Sequence, residues 1–74
     1  EKKFIEMEEV EQRLDNVYNL IEEYEDEEAI EILKDLLEYN IELYSEDFIG
    51  EVIETLNRLD YKKASERIKN RRSE

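Results

Sequence analysis

The chain has 74 residues, with 23 Asp and Glu against 11 Lys and Arg for a net charge of −12, and it contains no histidine, cysteine, proline or tryptophan. Without histidine or cysteine it lacks the usual zinc ligands, a thiolate nucleophile and any histidine-based catalytic triad. We therefore expect a protein that is not an enzyme, binds no cofactor or metal and has no small-molecule substrate.

Length limits the chain to one domain, residues 1–74. A monomer of this size buries only about 60% of the surface that its unfolded chain exposes. A protein partner or a second copy is therefore expected on thermodynamic grounds. Because the first residue is Glu1 rather than Met, we interpret the chain as a piece of a longer protein or a processed form.

Apolar runs in this chain are short, and none approaches the roughly 18 consecutive apolar residues of a membrane span. The absence of cysteine excludes disulfides and fits a reducing compartment. These features predict a soluble, cytoplasmic protein that does not bind membranes.

Charge is distributed unevenly along the chain. Residues 1–60 carry 21 acids and five bases, whereas residues 61–74 carry six bases and two acids. The acidic body would be repelled by phosphate backbones, so no direct binding of nucleic acid through it is expected. We expect the basic tail, residues 69–74, to fray as weakly held termini do.

Hydrophobic periodicity predicts an all-α fold, a small antiparallel bundle of three main helices and a short fourth C-terminal helix. The first helix, about 20 residues long, carries apolar residues at steps of three and four. They are Met7, Val10, Leu14, Val17, Ile21 and Tyr24, joined by Phe4, Tyr18 and Leu20. The acidic stretch 22–28 then contains a connection, and Asp26 is the expected N-cap of the next helix.

A second helix is predicted over about residues 27–44, with two adjacent apolar stripes. The first stripe consists of Ala29, Ile30, Leu33, Leu37, Ile41 and Tyr44, and the second of Ile32, Leu36, Tyr39 and Leu43. Together they span about 200°, twice the roughly 100° that an ordinary surface helix buries. Either this helix is central in the bundle, which we favour, or the second stripe is a partner-binding surface.

The remaining helices are marked by their caps. Ser45 is the expected N-cap of a third helix with a broad apolar face that ends in Leu56 and Leu59. Asp60 is the expected N-cap of a fourth helix, which would dock through Tyr61, Ala64 and Ile68.

One stretch of the chain suggests a family. The hairpin residues that carry the likeness are Leu20, Ile21, Asp26, Ala29 and Leu33, then Leu56, Leu59, Asp60, Tyr61 and Ala64. From about Leu20 to Ile68 the chain resembles the histidine-phosphotransfer-like helical domains of hybrid sensor kinases and response regulators. The resemblance implies an antiparallel helical bundle and a signalling context, but the phospho-accepting histidine is missing, so no site residue of the family has a counterpart here.

Function is therefore expected to be non-catalytic. The leading hypothesis is a protein-interaction or self-association module in a signalling protein, with a protein partner or a second copy. A homodimer would be antiparallel, with the acidic body of one chain near the basic tail of the other. The alternative is an acidic mimic of nucleic acid that inhibits a basic protein, with carboxylates standing where phosphates would lie.

Overall fold

The computed structural model describes residues 2–71. This part of the chain is mostly helical, as predicted, and contains four helices and one short pair of parallel strands. In chain order the elements are β1 Lys3–Phe4, α1 Met7–Glu22, α2 Asp26–Leu36, β2 Tyr39–Asn40, α3 Glu46–Asn57 and α4 Tyr61–Lys69. Each helix is short enough that none could cross a bilayer, and none of those described is sufficiently apolar.

Local capping chemistry sets the start of α3 and of α4. The Ser45 hydroxyl accepts a hydrogen bond from the Phe48 backbone N–H at 3.1 Å, and the Asp60 carboxylate accepts one from the Lys63 N–H at 3.2 Å. Both predicted caps are confirmed. The predicted cap at Asp26 is wrong, because α2 begins at Asp26 and the preceding residue makes no side-chain cap.

The predicted helix over 27–44 is also wrong, because α2 ends at Leu36. The chain then turns, with the Glu38 N–H bonded to the Asp35 carbonyl, and Tyr39–Asn40 pairs in parallel with Lys3–Phe4. Tyrosine, asparagine and isoleucine in succession are weak helix formers, and the strand pairing gives their backbone another partner. The two stripes of the predicted helix thus do not exist as faces of one helix.

The N-terminal residues likewise differ from the prediction. Phe4 lies in β1 and is 80% exposed, rather than on the apolar face of α1, which begins only at Met7. The Asn40 side-chain amide donates a hydrogen bond to the Lys2 carbonyl, and Lys2 also forms an ion pair with Glu46. These contacts tie the N-terminal segment to the connection between α2 and α3 and to the first residue of α3.

All four helices contribute to one hydrophobic core. Its buried members are Val10, Leu14, Val17, Ile21, Ala29, Leu33, Leu36, Tyr44, Ile49, Val52, Leu56, Ala64 and Ile68. Ala64 and Ile68 are fully buried and Tyr61 is half-buried, so the predicted docking face of the fourth helix is confirmed.

Two helical hairpins with the same construction make up this core. The first hairpin is α1 with α2, and the second is α3 with α4. Core residues recur at equal spacing in the two, as Leu14 and Ile49, Val17 and Val52, Ile21 and Leu56, Ala29 and Ala64, and Leu33 and Ile68. Tyr24 and Leu59, 35 positions apart, are the two non-glycine residues of the described chain with positive φ, 61° and 62°.

The hydrogen bonds at the hairpin turns match as well. In the first hairpin the Glu25 N–H bonds to the Leu20 carbonyl and the Tyr24 N–H to the Ile21 carbonyl. In the second, the equivalent donors are Asp60 and Leu59, and the acceptors are Thr55 and Leu56. This pattern is a Schellman motif, in which the residue just beyond the helix adopts a left-handed conformation. The two turns therefore present the same backbone shape.

Packing between the hairpins is symmetric. Apart from contacts within each hairpin, α1 packs on α4 and α2 packs on α3. Exchanging the hairpins leaves this set of contacts unchanged, as expected for an approximate two-fold relation and not for the translation of a solenoid. Because the Tyr24 ring packs against the Tyr61 ring, both hairpin turns lie at the same end of the molecule.

Candidate interaction surface

The four residues predicted to bind a partner lie in different environments. Leu36 is fully buried in the core, Ile32 and Tyr39 are half-buried, and Leu43 is 63% exposed. The Tyr39 ring is covered by the Arg13 guanidinium, 5.7 Å from the ring centroid. Of this set, Leu43 alone offers a largely open apolar side chain, and it lies in the connection between α2 and α3.

Large exposed apolar side chains occur at both ends of the molecule. Phe4 and Leu43 lie at the end that holds the strand pair, while Tyr24 and Leu59 lie at the end formed by the two hairpin turns. Tyr24 is 70% exposed and Leu59 is 63% exposed. We refer to Tyr24, Leu59 and Tyr61, with the charged residues of the two turns, as the hairpin-end surface.

Aromatic packing organises the centre of the hairpin-end surface. The Tyr24 and Tyr61 rings meet edge to face, with centroids 5.1 Å apart and an interplanar angle of 87°. This geometry matches the quadrupoles of two aromatic rings and fixes the orientation of Tyr24 despite its exposure. The surface therefore presents an ordered aromatic edge between its two turns.

The backbone at Tyr24 and Leu59 is unfavourable for the residues that occupy it. The position just beyond a helix in a Schellman motif is usually glycine, because a Cβ makes the left-handed conformation cost roughly 1–2 kcal/mol. A large, exposed apolar side chain there gains little from burial within the chain. Such strain is concentrated at functional sites in proteins, which makes these two side chains candidates for contact with another molecule.

Charge divides the hairpin-end surface into two halves. The first turn carries six acids between residues 22 and 28 and no base, whereas the second has Arg58, Lys62 and Lys63 with Asp60. At structurally equivalent positions, 35 apart, Glu23 corresponds to Arg58, Glu27 to Lys62 and Glu28 to Lys63. Among residues 2–71, none of the acids in 22–28 forms an ion pair, and neither do Lys62 and Lys63.

A separate polar cluster surrounds Arg71 away from the turns. Its guanidinium donates to Glu11 at 2.9 Å, to Asp15 at 2.8 Å and to the Ile68 carbonyl at 2.8 Å. The Tyr44 hydroxyl donates to the other Glu11 oxygen at 2.7 Å. Partial burial lowers the pKa of the Arg71 guanidinium. The hydrogen bonds to Asp15 and Glu11 outweigh this effect, so that the pKa of Arg71 is raised. The cluster joins three parts of the chain.

Arg71 also bears on the expected fraying of the basic tail. α4 ends at Lys69, and Arg71 keeps only 12% of its side chain exposed. Arg67 forms an ion pair with Glu51 of α3. These cations thus pair within the chain, while residues 72–74 of the predicted tail lie outside the described residues.

Within residues 2–71 no three or more acidic side chains come together in a way that would hold an ion.

Comparison with known proteins found no matching family model and no significant match among curated proteins or solved structures.

The hairpin-end surface was missed in the sequence because Tyr24 and Leu59 continue the apolar periodicity of α1 and α3. Two signals in the sequence could have distinguished these residues from the buried faces of the helices. Asp60 as an N-cap leaves Leu59 outside both helices. The recurrence of Val17, Tyr24 and Ala29 as Val52, Leu59 and Ala64 reveals a repeat.

Proposed function

We propose that this chain is a non-catalytic protein-interaction module that binds through the hairpin-end surface. The observation that carries the proposal is the pair Tyr24 and Leu59, two exposed apolar residues at positive φ at the same end of the molecule. On this proposal the antiparallel helices act as a scaffold, and the backbone strain is retained because the side chains are used.

Physical considerations favour contact with protein over other ligands. Aromatic and apolar side chains with a charged rim resemble the composition of protein interfaces, where the apolar centre supplies affinity and the rim sets orientation and association rate. A signalling context and a cytoplasmic location remain predictions that rest on the resemblance to phosphotransfer domains and on the absence of cysteine.

The test compares two leucines of equal exposure at opposite ends of the molecule. Leu59→Gly removes an apolar side chain from the hairpin-end surface and relieves the backbone strain of the positive φ at this position. Leu43→Gly removes an apolar side chain from the binding surface that was predicted from the sequence. Self-association is measured by sedimentation equilibrium. Capture of partners from a lysate of the source organism is followed by titration calorimetry with each purified partner.

We expect Leu59→Gly to abolish the association or binding that the unmodified chain shows, while Leu43→Gly leaves it intact. The reverse pattern would move the interaction to the surface around Leu43. If the unmodified chain neither self-associates nor binds any purified partner, the proposal of an interaction module fails altogether.

A further inference from the structure

We propose that the partner of the hairpin-end surface is a second copy of the same chain, bound face to face about a two-fold axis that runs between the two turns. This inference rests on the proposed function and specifies its partner. It is carried by the combination of equal shape and opposite charge in the two halves of one surface.

The two halves of the hairpin-end surface have the same backbone shape. The two turns share the same Schellman hydrogen bonds and the same positive φ, 35 residues apart. The two halves of the surface therefore have closely similar backbones. When one copy is turned over onto another about an axis between the turns, the first turn of each copy lies over the second turn of the other, and an isologous contact closes.

Charge then selects this arrangement. In the face-to-face pair, Glu27 and Glu28 of one copy lie over the half that carries Lys62 and Lys63 in the other, and the same pairing occurs a second time by symmetry. All four side chains are exposed and form no ion pair within residues 2–71. Complementary potentials of this kind fix the register of an interface and suppress alternatives.

Apolar side chains lie between the charged halves. Tyr24 and Leu59 are 70% and 63% exposed, and in the pair Tyr24 of each copy lies over Leu59 of the other. The surface is small, so we expect a weak, concentration-dependent dimer of the class that buries less than about 1,200 Å².

Two charge-exchange variants test the inference on the full chain. The first is Glu27→Lys with Glu28→Lys, and the second is Lys62→Glu with Lys63→Glu. From −12, each double substitution changes the net charge by four units, to −8 and −16. Since each hairpin has lysine or glutamate at these same positions, both sets of side chains are compatible with the fold, and circular dichroism checks this for each variant.

Sedimentation equilibrium is run at about 0.15 M salt, where the Debye length of about 8 Å screens repulsion between the acidic bodies. Loading concentrations from about 10 µM to about 1 mM bracket a weak interface. The matched control is Glu6→Lys with Glu8→Lys. It makes the same charge change at the opposite end of α1, at two exposed residues.

The unmodified chain should dimerise, and each charge-exchange variant alone should dimerise at least about tenfold more weakly, because like charges then face each other. An equimolar mixture of the two variants should restore dimerisation as a heterodimer, because the lysines of one variant then face the glutamates of the other at both contacts. The control variant should dimerise at least as well as the unmodified chain.

Several results would overturn the inference. A chain that stays monomeric at about 1 mM would do so, and the module would then depend on the foreign partners sought in the capture experiment. The inference would also be overturned if the Glu27→Lys, Glu28→Lys variant dimerised as well as the control, because net charge alone would then explain the dimerisation of both. Failure of the mixture to restore dimerisation would place the dimer contact on another surface.

Discussion

At the scale of single residues, Leu59 and Leu43 are equally exposed but differ in the conformational energy of their backbone. Both are 63% exposed, yet Leu59 has φ of 62° and Leu43 does not share this conformation. A left-handed conformation costs a residue with a Cβ roughly 1–2 kcal/mol, whereas glycine adopts it freely. The backbone conformation at Leu59 is therefore one that glycine would adopt at lower conformational energy.

Leu59→Gly should raise the free energy of unfolding by about 0.5–1 kcal/mol, because relief of the left-handed conformation exceeds the extra chain entropy of glycine. Urea denaturation followed by circular dichroism measures the change. Leu43→Gly is the control and should lower the free energy of unfolding by about 0.5 kcal/mol or more, because it adds entropy to the unfolded chain without relieving strain. Lower stability of Leu59→Gly would show that Leu59 contributes to packing.

At the scale of elements, the helix caps could be predicted from the sequence, but a helix end that depends on tertiary contacts could not. Ser45 and Asp60 were identified as caps because an N-cap satisfies nearby backbone N–H groups whatever the rest of the fold does. The end of α2 at Leu36 was missed because no glycine or proline follows it and apolar residues continue at helical spacing through Tyr39 and Leu43. The pairing of Tyr39–Asn40 with Lys3–Phe4, far away in sequence, decides that boundary.

The candidate surface was less predictable than the fold. Helix existence follows from periodicity within one segment, but the hairpin-end surface depends on two turns that the fold brings together. Of the predicted binding residues, Leu36 lies in the core because the chain folds back after it, which a stripe drawn on a single helix does not foresee.

Elements that are distant in sequence are joined by Arg71. Arg71→Met keeps an unbranched apolar stem but removes the guanidinium and its hydrogen bonds to Glu11 and Asp15, so the largely buried Glu11 carboxylate loses this cation. Loss of these charge-assisted hydrogen bonds should lower the free energy of unfolding by about 2 kcal/mol. Thermal and urea denaturation provide the measurement.

Arg58→Met is the matched control for Arg71→Met. Arg58 pairs with Glu54 at 2.8 Å, but both side chains are more than 60% exposed. Arg58→Met should therefore lower the free energy of unfolding by less than about 0.5 kcal/mol. Equal losses for the two variants would mean that the Arg71 cluster contributes no more than a surface ion pair.

At the scale of the whole molecule, the hairpins share one core and should unfold together. Val17 and Val52 are both fully buried at equivalent positions. Val17→Ala and Val52→Ala should each lower the free energy of unfolding by about 2 kcal/mol, the cost of two buried carbons and the cavity that they leave. Urea unfolding should show a single transition for both, with coincident circular dichroism and tyrosine fluorescence.

Two separate transitions, or a variant that unfolds only its own hairpin, would contradict a shared core. If Val17→Ala and Val52→Ala lowered the free energy of unfolding by very different amounts, the side chains around the two valines would be packed with different density, although the two hairpins have similar backbones.

The exchange symmetry of the hairpins has a consequence for chain order. Since α1 packs on α4 and α2 packs on α3, the contacts between the hairpins do not depend on which hairpin comes first in the chain. Arg71 already reaches Glu11 on α1, so the two ends of the described chain lie on the same side of the molecule. A circular permutant that begins at α3, with a short linker leading from the end of α4 to Ile5, would encode the same core with the order of the two hairpins exchanged.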